Sequence, residues 1–146
     1  MANPNVNQGT LNRLRGNVVI PSHPSLNIAA YNLGENGMSL AFDGNSTDMI
    51  NTLTGRVTSP VPYLPATLTV PLLKTQALAN QYKAQMESLS LIGDITVYTD
   101  SSSLSEFKLQ NCAIEKVEPG PINGKEATMM VTIAGTYAIN DQLYTL

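Results

Sequence analysis

Few residues in this chain combine a reactive type with the company that chemistry needs. His23 is the only histidine, and it stands in the run Pro21-Ser22-His23-Pro24. A general base or metal ligand needs a carboxylate or second ligand near it, and the flanking sequence offers none. His23 therefore reads as a turn residue. Cys112 is the only cysteine and follows Asn111 in a strand-like stretch, with no adjacent base to lower its pKa. It reads as a small buried hydrophobe. One cysteine and one histidine also exclude an intrachain disulfide framework and a Cys/His zinc cage. Asp43, Asn45, Thr47 and Asp48 resemble the start of a calcium loop. The glycine required at its sixth position is Asp48, however, and the bidentate Glu required at its twelfth is Thr54.

Carboxylates come in pairs, as in Glu115 with Glu118 and Glu106 near Asp100. Glycoside hydrolysis needs two acids opposed across a cleft, usually with aromatic platforms for the sugar. The chain has no Trp, and aromatics make up 5% of it, so these read as solvated surface acids. No GxGxxG, P-loop or GxSxG occurs. Asn45-Ser46-Thr47 matches a glycosylation sequon, which matters only in a secreted protein, and no basic-then-apolar leader opens the sequence. The expectation is a protein that is not an enzyme and takes no cofactor or metal.

The elements that would position any site are mostly β. Turn signals recur at Pro21-Ser22-His23-Pro24, Gly34-Glu35-Asn36-Gly37, Asp43-Gly44, Glu118-Pro119-Gly120-Pro121 and Asn123-Gly124. Between them, residues 17–20, 26–33 (weakly), 38–43 and 64–72 read as strands. Pro65 and Pro71 lack amide donors, which puts the last of these at an edge or confines its pairing to the middle. Residues 75–88 contain no Gly or Pro and are rich in helix formers. Leu78, Tyr82, Met86 and Leu89 form one apolar stripe there, Thr75 is the expected N-cap, and the outside of a sheet is the expected dock. Strands follow at 93–99, 104–109, 112–117 and 127–139. Apolar parity shifts across Gln110-Asn111, predicting a bulge, and Asn123-Gly124 predicts a type I′ turn. In the last strand Thr132, Ala134, Thr136 and Ala138 form a small uncharged face. They are expected opposite the core, as a lumen wall or as a layer packed on the helix.

Residues 1–146 read as one domain. Asn, Gln, Ser and Thr supply 45 of them, and charged residues only 13%, about half the usual share. The net charge of −3, with eight scattered bases, gives no patch for gripping phosphates. No apolar run is long enough to cross a bilayer as a helix. Two segments lack an obvious use in a compact monomer: the N-terminal arm 1–16, with Arg13 and Arg15, and residues 44–62. The latter embeds Met49, Ile50, Leu53 and Val57 in Ser, Thr and Asn. Loops this long usually have a task, and these apolar side chains need cover. Extension over 53–59 would make the segment a projecting hairpin whose contact is a neighbouring subunit. Arg13 and Arg15 are assigned to the same kind of contact.

The ordered stretch Thr54-Gly55-Arg56-Val57-Thr58-Ser59-Pro60, Pro62-Tyr63, Leu72-Leu73-Lys74-Thr75-Gln76-Ala77-Leu78-Ala79, Tyr82-Lys83 and Ile92-Gly93-Asp94 resembles tail tube proteins of tailed bacteriophages, particularly the contractile type. The resemblance spans roughly residues 37 to 139 and extends to secretion-system and bacteriocin tubes. It implies a mainly β protomer, a β-sandwich or open barrel with one flanking helix, whose sheets join across subunits. Six protomers would form a ring, and stacked rings a tube that conducts DNA into the host without binding it specifically. It further implies a virion tail location after assembly in the host cytoplasm. The implied partners are other copies of the chain, the tail sheath, baseplate or tail-terminator proteins, and a tape-measure protein. Low charge suits close ring-on-ring contact, since few ion pairs need desolvating. The other reading of the sequence is a soluble β-sandwich binding or virion-decoration module.

Overall fold

The structure, a computed structural model, describes residues 6–146. Among these the chain forms strands β1 (Asn17–Val19), β2 (Ser39–Phe42), β3 (Thr47–Asn51), β4 (Arg56–Pro60) and β5 (Tyr63–Leu73). Helix α1 (Ala77–Ser88) follows, then β6 (Leu91–Tyr98), β7 (Glu106–Glu118) and β8 (Thr128–Ala138). Six strands pair in the order β1-β6-β7-β8-β5-β2, every neighbour antiparallel, and the sheet curls into a half-barrel. The protein is thus mainly β, an open barrel with one helix. Strands β3 and β4 form a separate two-stranded sheet.

Alternation on the strands builds the core. Ala66, Leu68, Val70 and Leu72 of β5 and Met129, Val131 and Ile133 of β8 line the concave face, and all are buried. They join one cluster with Ile92, Ile95 and Val97 of β6 and Leu109, Cys112 and Ile114 of β7. The parity change between Leu109 and Cys112 is a bulge, as the sequence predicts. Register slips between Gln110 and Ala113, and Asn111 turns into the left-handed region at φ 52°. Its amide is met by Asp94 Oδ1 at 3.1 Å. On β8 the facing residue is Gly135, where an added Cβ would lie 2.5 Å from Cys112 Sγ. Gly135→Ala is therefore expected to cost about 1–3 kcal/mol in urea unfolding, as overpacking does. Adding Cys112→Ala should recover most of the loss, because the atom left behind, Cβ, stands at 3.5 Å. A double variant no better than the sum of the two singles would show that the contact is not the cause.

The two prolines of β5 confine its pairing to the middle on one side only. The strand lies inside the sheet and pairs with β8 over its whole length, but with β2 only over Ala66–Thr69. The carbonyls of Pro65 and Pro71 accept from Asp43 N (2.8 Å) and Gly34 N (2.9 Å), so both residues turn their backbone polar side toward β2. The missing N–H groups fall just beyond the four-residue β2 ladder and leave the β8 ladder whole.

Four expectations need correction. Residues 26–33 are not a strand: Pro24–Leu26 and Ala30–Asn32 are 3-10 turns, with Pro24 in the first position, where its fixed φ suits a helical turn. Only Ile28 and Leu33 form single bridges, to Val18 and Leu72. Asn123-Gly124 makes no type I′ turn, which needs positive φ at both residues. Only Gly124 has it (75°), and Asn123 Oδ1 instead accepts from the amides of Lys125 and Glu126 within a longer loop. The helix starts after Gln76 rather than Thr75, and Gln76 makes no side-chain cap bond. Finally, α1 does not ride outside the sheet. Leu78, Ala79 and Tyr82 belong to the concave core cluster, and the helix packs on the Pro24–Leu26 turn, β7 and β5. Its apolar stripe is used only in its first half, for Met86 and Leu89 are exposed.

Candidate functional site

The residues with potential for acid–base or thiol chemistry lie apart from one another among the described residues, with no cluster of three or more His, Cys, Asp or Glu. His23 sits in the turn before Pro24–Leu26, and its Nδ1 is buried without a hydrogen-bond partner. Cys112 is 1% exposed, and burial, reinforced by the Asp94 carboxylate, pushes its thiol up to about 11 despite a backbone bond from Ile95. A thiol so shifted is a poor nucleophile at neutral pH. Among the described residues no group of three or more His, Cys, Asp or Glu is placed to hold a metal ion. No helix among them is long and apolar enough to cross a membrane.

What the structure does assemble is a projecting element and a recess. Residues 47–60 form the hairpin that extension of the 44–62 segment would give. Its strands β3 and β4 pair from Thr47↔Pro60 to Asn51↔Arg56. Ile50 and Val57 face each other on one side, both 52% exposed. Met49 stands on the opposite side at 46%, and Leu53 at the tip is fully exposed. Apolar side chains thus occupy both faces, and no other element packs substantially against either strand.

Among the described residues the hairpin is fastened at its base. Val61 N donates to Ser46 O at 3.0 Å, and Ile139 N donates to Pro62 O at 3.0 Å. Asn140, held in the left-handed region at φ 49°, completes the clasp: its Nδ2 donates to both Ser46 O (3.0 Å) and Val61 O (2.8 Å). Asparagine suits this position, because it tolerates the left-handed region and carries two donors on one short side chain. Asn140→Asp keeps the shape and removes both donors. Amide hydrogen exchange over residues 47–60 is expected to speed up at least about tenfold in that variant, with the β5–β8 amides unchanged. Equal exchange in both proteins would show that the clasp does not hold the hairpin.

The recess lies between the two sheet edges, on the concave side. It is an open cleft of about 720 Å³, walled by Leu33, Met38, Leu40, Leu68, Val97 and Phe107, with Arg13, Glu35 and Asp100 at its rim. One border is the N-terminal segment, tied down by Asn12 N to Asp100 O (3.0 Å) and Arg15 Nη1 to Thr99 O (3.2 Å). The arm assigned from the sequence begins at residue 1, and its first five residues lie outside the described ones. The other border is β2. Ser39 and Ala41 pair toward β5, so the backbone polar groups of Leu40 and Phe42 point outward, and nothing among the described residues bonds them. The opposite edge is covered, because Val18 exchanges both backbone bonds with Ile28 at 2.9 Å. At the hairpin end of the barrel the rings of Phe42, Phe107 and Tyr137 meet with centroids 4.9–5.5 Å apart, bridging β2 to β7 across the concavity.

The uncharged face of β8 is divided. Thr132 is buried between its cross-strand partners Thr69 and Lys116, Ala134 and Thr136 are half-buried, and Ala138 is exposed. All four alternate with Val131 and Ile133 and so stand on the convex side. The cleft has no signal in the sequence: its walls come from segments as far apart as Leu33 and Phe107, brought together only by the curl of the sheet. No protein-family model and no curated protein matches this chain.

Proposed function

We propose that the chain is a structural subunit that assembles with copies of itself, in the manner of a phage tail tube protein. In that reading six copies form a ring and the rings stack into a channel for DNA in the virion tail. Sheath, baseplate or terminator and tape-measure proteins are the further partners. The observation that carries the reading is the hairpin β3–β4, apolar on both faces and uncovered by the other described residues of its own chain. Covering the exposed half of Met49, Ile50 or Val57 is worth about 1 kcal/mol each, and covering Leu53 about 1.5–3 kcal/mol, a gain that a neighbour can supply. The unpaired edge of β2 adds a place where the sheet of a second subunit can continue. The convex Thr and Ala face of β8 is small and itself uncharged, as suits a wall that DNA slides past, with Lys116 beside Thr132 on the neighbouring strand.

Electron microscopy of the purified protein over a range of concentrations tests the reading. Rings or tubes with a central channel are expected. Small monodisperse particles at every concentration would overturn it, in favour of a monomeric binding module that works through the 720 Å³ cleft.

A further inference from the structure

We propose that the hairpin tip of one copy seats in the cleft of a second copy, making the chain complementary to itself head to tail. This rests on the assembly reading and names its contact. The two surfaces match in chemistry. The tip brings Leu53 and the Ile50–Val57 pair, and the cleft offers the half-buried side chains of Leu33, Met38, Leu40 and Phe107 above a floor of buried Leu68 and Val97. They also match in charge. From Asn51 to Val57 the one charged residue is Arg56, and its only side-chain hydrogen bond runs from Nε to Asn51 Oδ1 at 2.9 Å. The terminal guanidinium nitrogens remain available to an acceptor. At the cleft rim Glu35 and Asp100 supply carboxylates, and among the described residues neither is in a salt bridge. A basic tip thus meets a rim with two acids and one base. Arginine at the edge of an apolar contact gives such an interface its register.

Size and reach also agree. The cleft volume lies within the range of sites that engulf side chains, and five-residue strands carry the tip about 17 Å from its base. In its own chain the hairpin contributes nothing to the cleft lining. Because hairpin and cleft are different patches, the contact is heterologous. Each copy offers a hairpin forward and a cleft behind, so the contact propagates from copy to copy instead of closing on a dimer.

The test uses two single-cysteine additions in the full chain, Leu53→Cys at the tip and Leu104→Cys on the cleft lining, where Leu104 is 57% exposed. Cys112 is buried and stays out of the reaction. Mixing the two variants under mild oxidation should give a disulfide-linked dimer, while either variant alone stays unlinked. Alongside, Arg56→Glu should raise the concentration needed for assembly at least about tenfold, and Glu35→Arg with Asp100→Arg in the same chain should restore it. Absence of the mixed disulfide, or Leu53→Cys linking to itself tip to tip, overturns the proposal. Wild-type protein imaged in parallel separates the two levels: tubes without the mixed disulfide leave the assembly reading standing and remove only this contact.

Discussion

Replacing Tyr82 with alanine is expected to lower unfolding stability by about 3–5 kcal/mol, the upper range for truncating a buried aromatic. Tyr82 is fully buried, it is the largest such side chain in the core, and it is the last of the three α1 residues that reach that core. Its hydroxyl donates to Leu26 O at 2.8 Å, fixing the Pro24–Leu26 turn to the helix, and burial raises its pKa well above the ordinary tyrosine value. Truncation opens a cavity and also leaves a buried carbonyl without its donor. Tyr82→Phe isolates the second effect and should cost about 1–2 kcal/mol. Urea unfolding followed by circular dichroism measures both. A loss below about 1 kcal/mol for Tyr82→Ala would mean that the helix is not part of the core.

Removing the hairpin should do the opposite: abolish assembly and spare the fold. Val61 N and Ser46 O are already bonded at 3.0 Å, so the ends are close enough for Asn-Gly to replace Thr47–Pro60 as a two-residue turn. The six-stranded sheet loses no strand by this change. The shortened protein is expected to keep β-rich circular dichroism and to lose rings and tubes at every concentration at which the wild type forms them. Tubes of normal length from the shortened protein would show that the hairpin is dispensable.

The elements that alternate strictly, or that carry a break in alternation, were legible in the sequence. The parity shift between Leu109 and Cys112 marks the β7 bulge, because an extra residue must turn one side chain to the other face. The four apolar residues set among polar ones in residues 44–62 mark the hairpin. Less legible were places where local preference and tertiary context pull apart. Residues 26–33 carry β-prone side chains, but Pro24 starts a 3-10 turn, and only Ile28 and Leu33 find strands to bridge, one residue each. Met86 continues the helical stripe in sequence, yet the core ends beneath Tyr82, so the last turns of α1 stand over solvent. Asn140 carried no signal at all. Its role depends on two carbonyls 79 and 94 residues away in the chain.

The two prolines of β5 bear on a hazard that any open barrel faces. An exposed strand edge can template further strands without limit, which is the route to amyloid. Here that edge is rationed. The β5 carbonyls at Pro65 and Pro71 are already taken by Asp43 N and Gly34 N, and the prolines have no N–H to offer. The outward groups still free belong to Leu40 and Phe42, within a four-residue strand. A fibril needs a longer seam of about six or seven residues, whereas one specific neighbour can be content with four. This edge of the six-stranded sheet can therefore accept a partner of its own kind while offering too short a seam for runaway deposition.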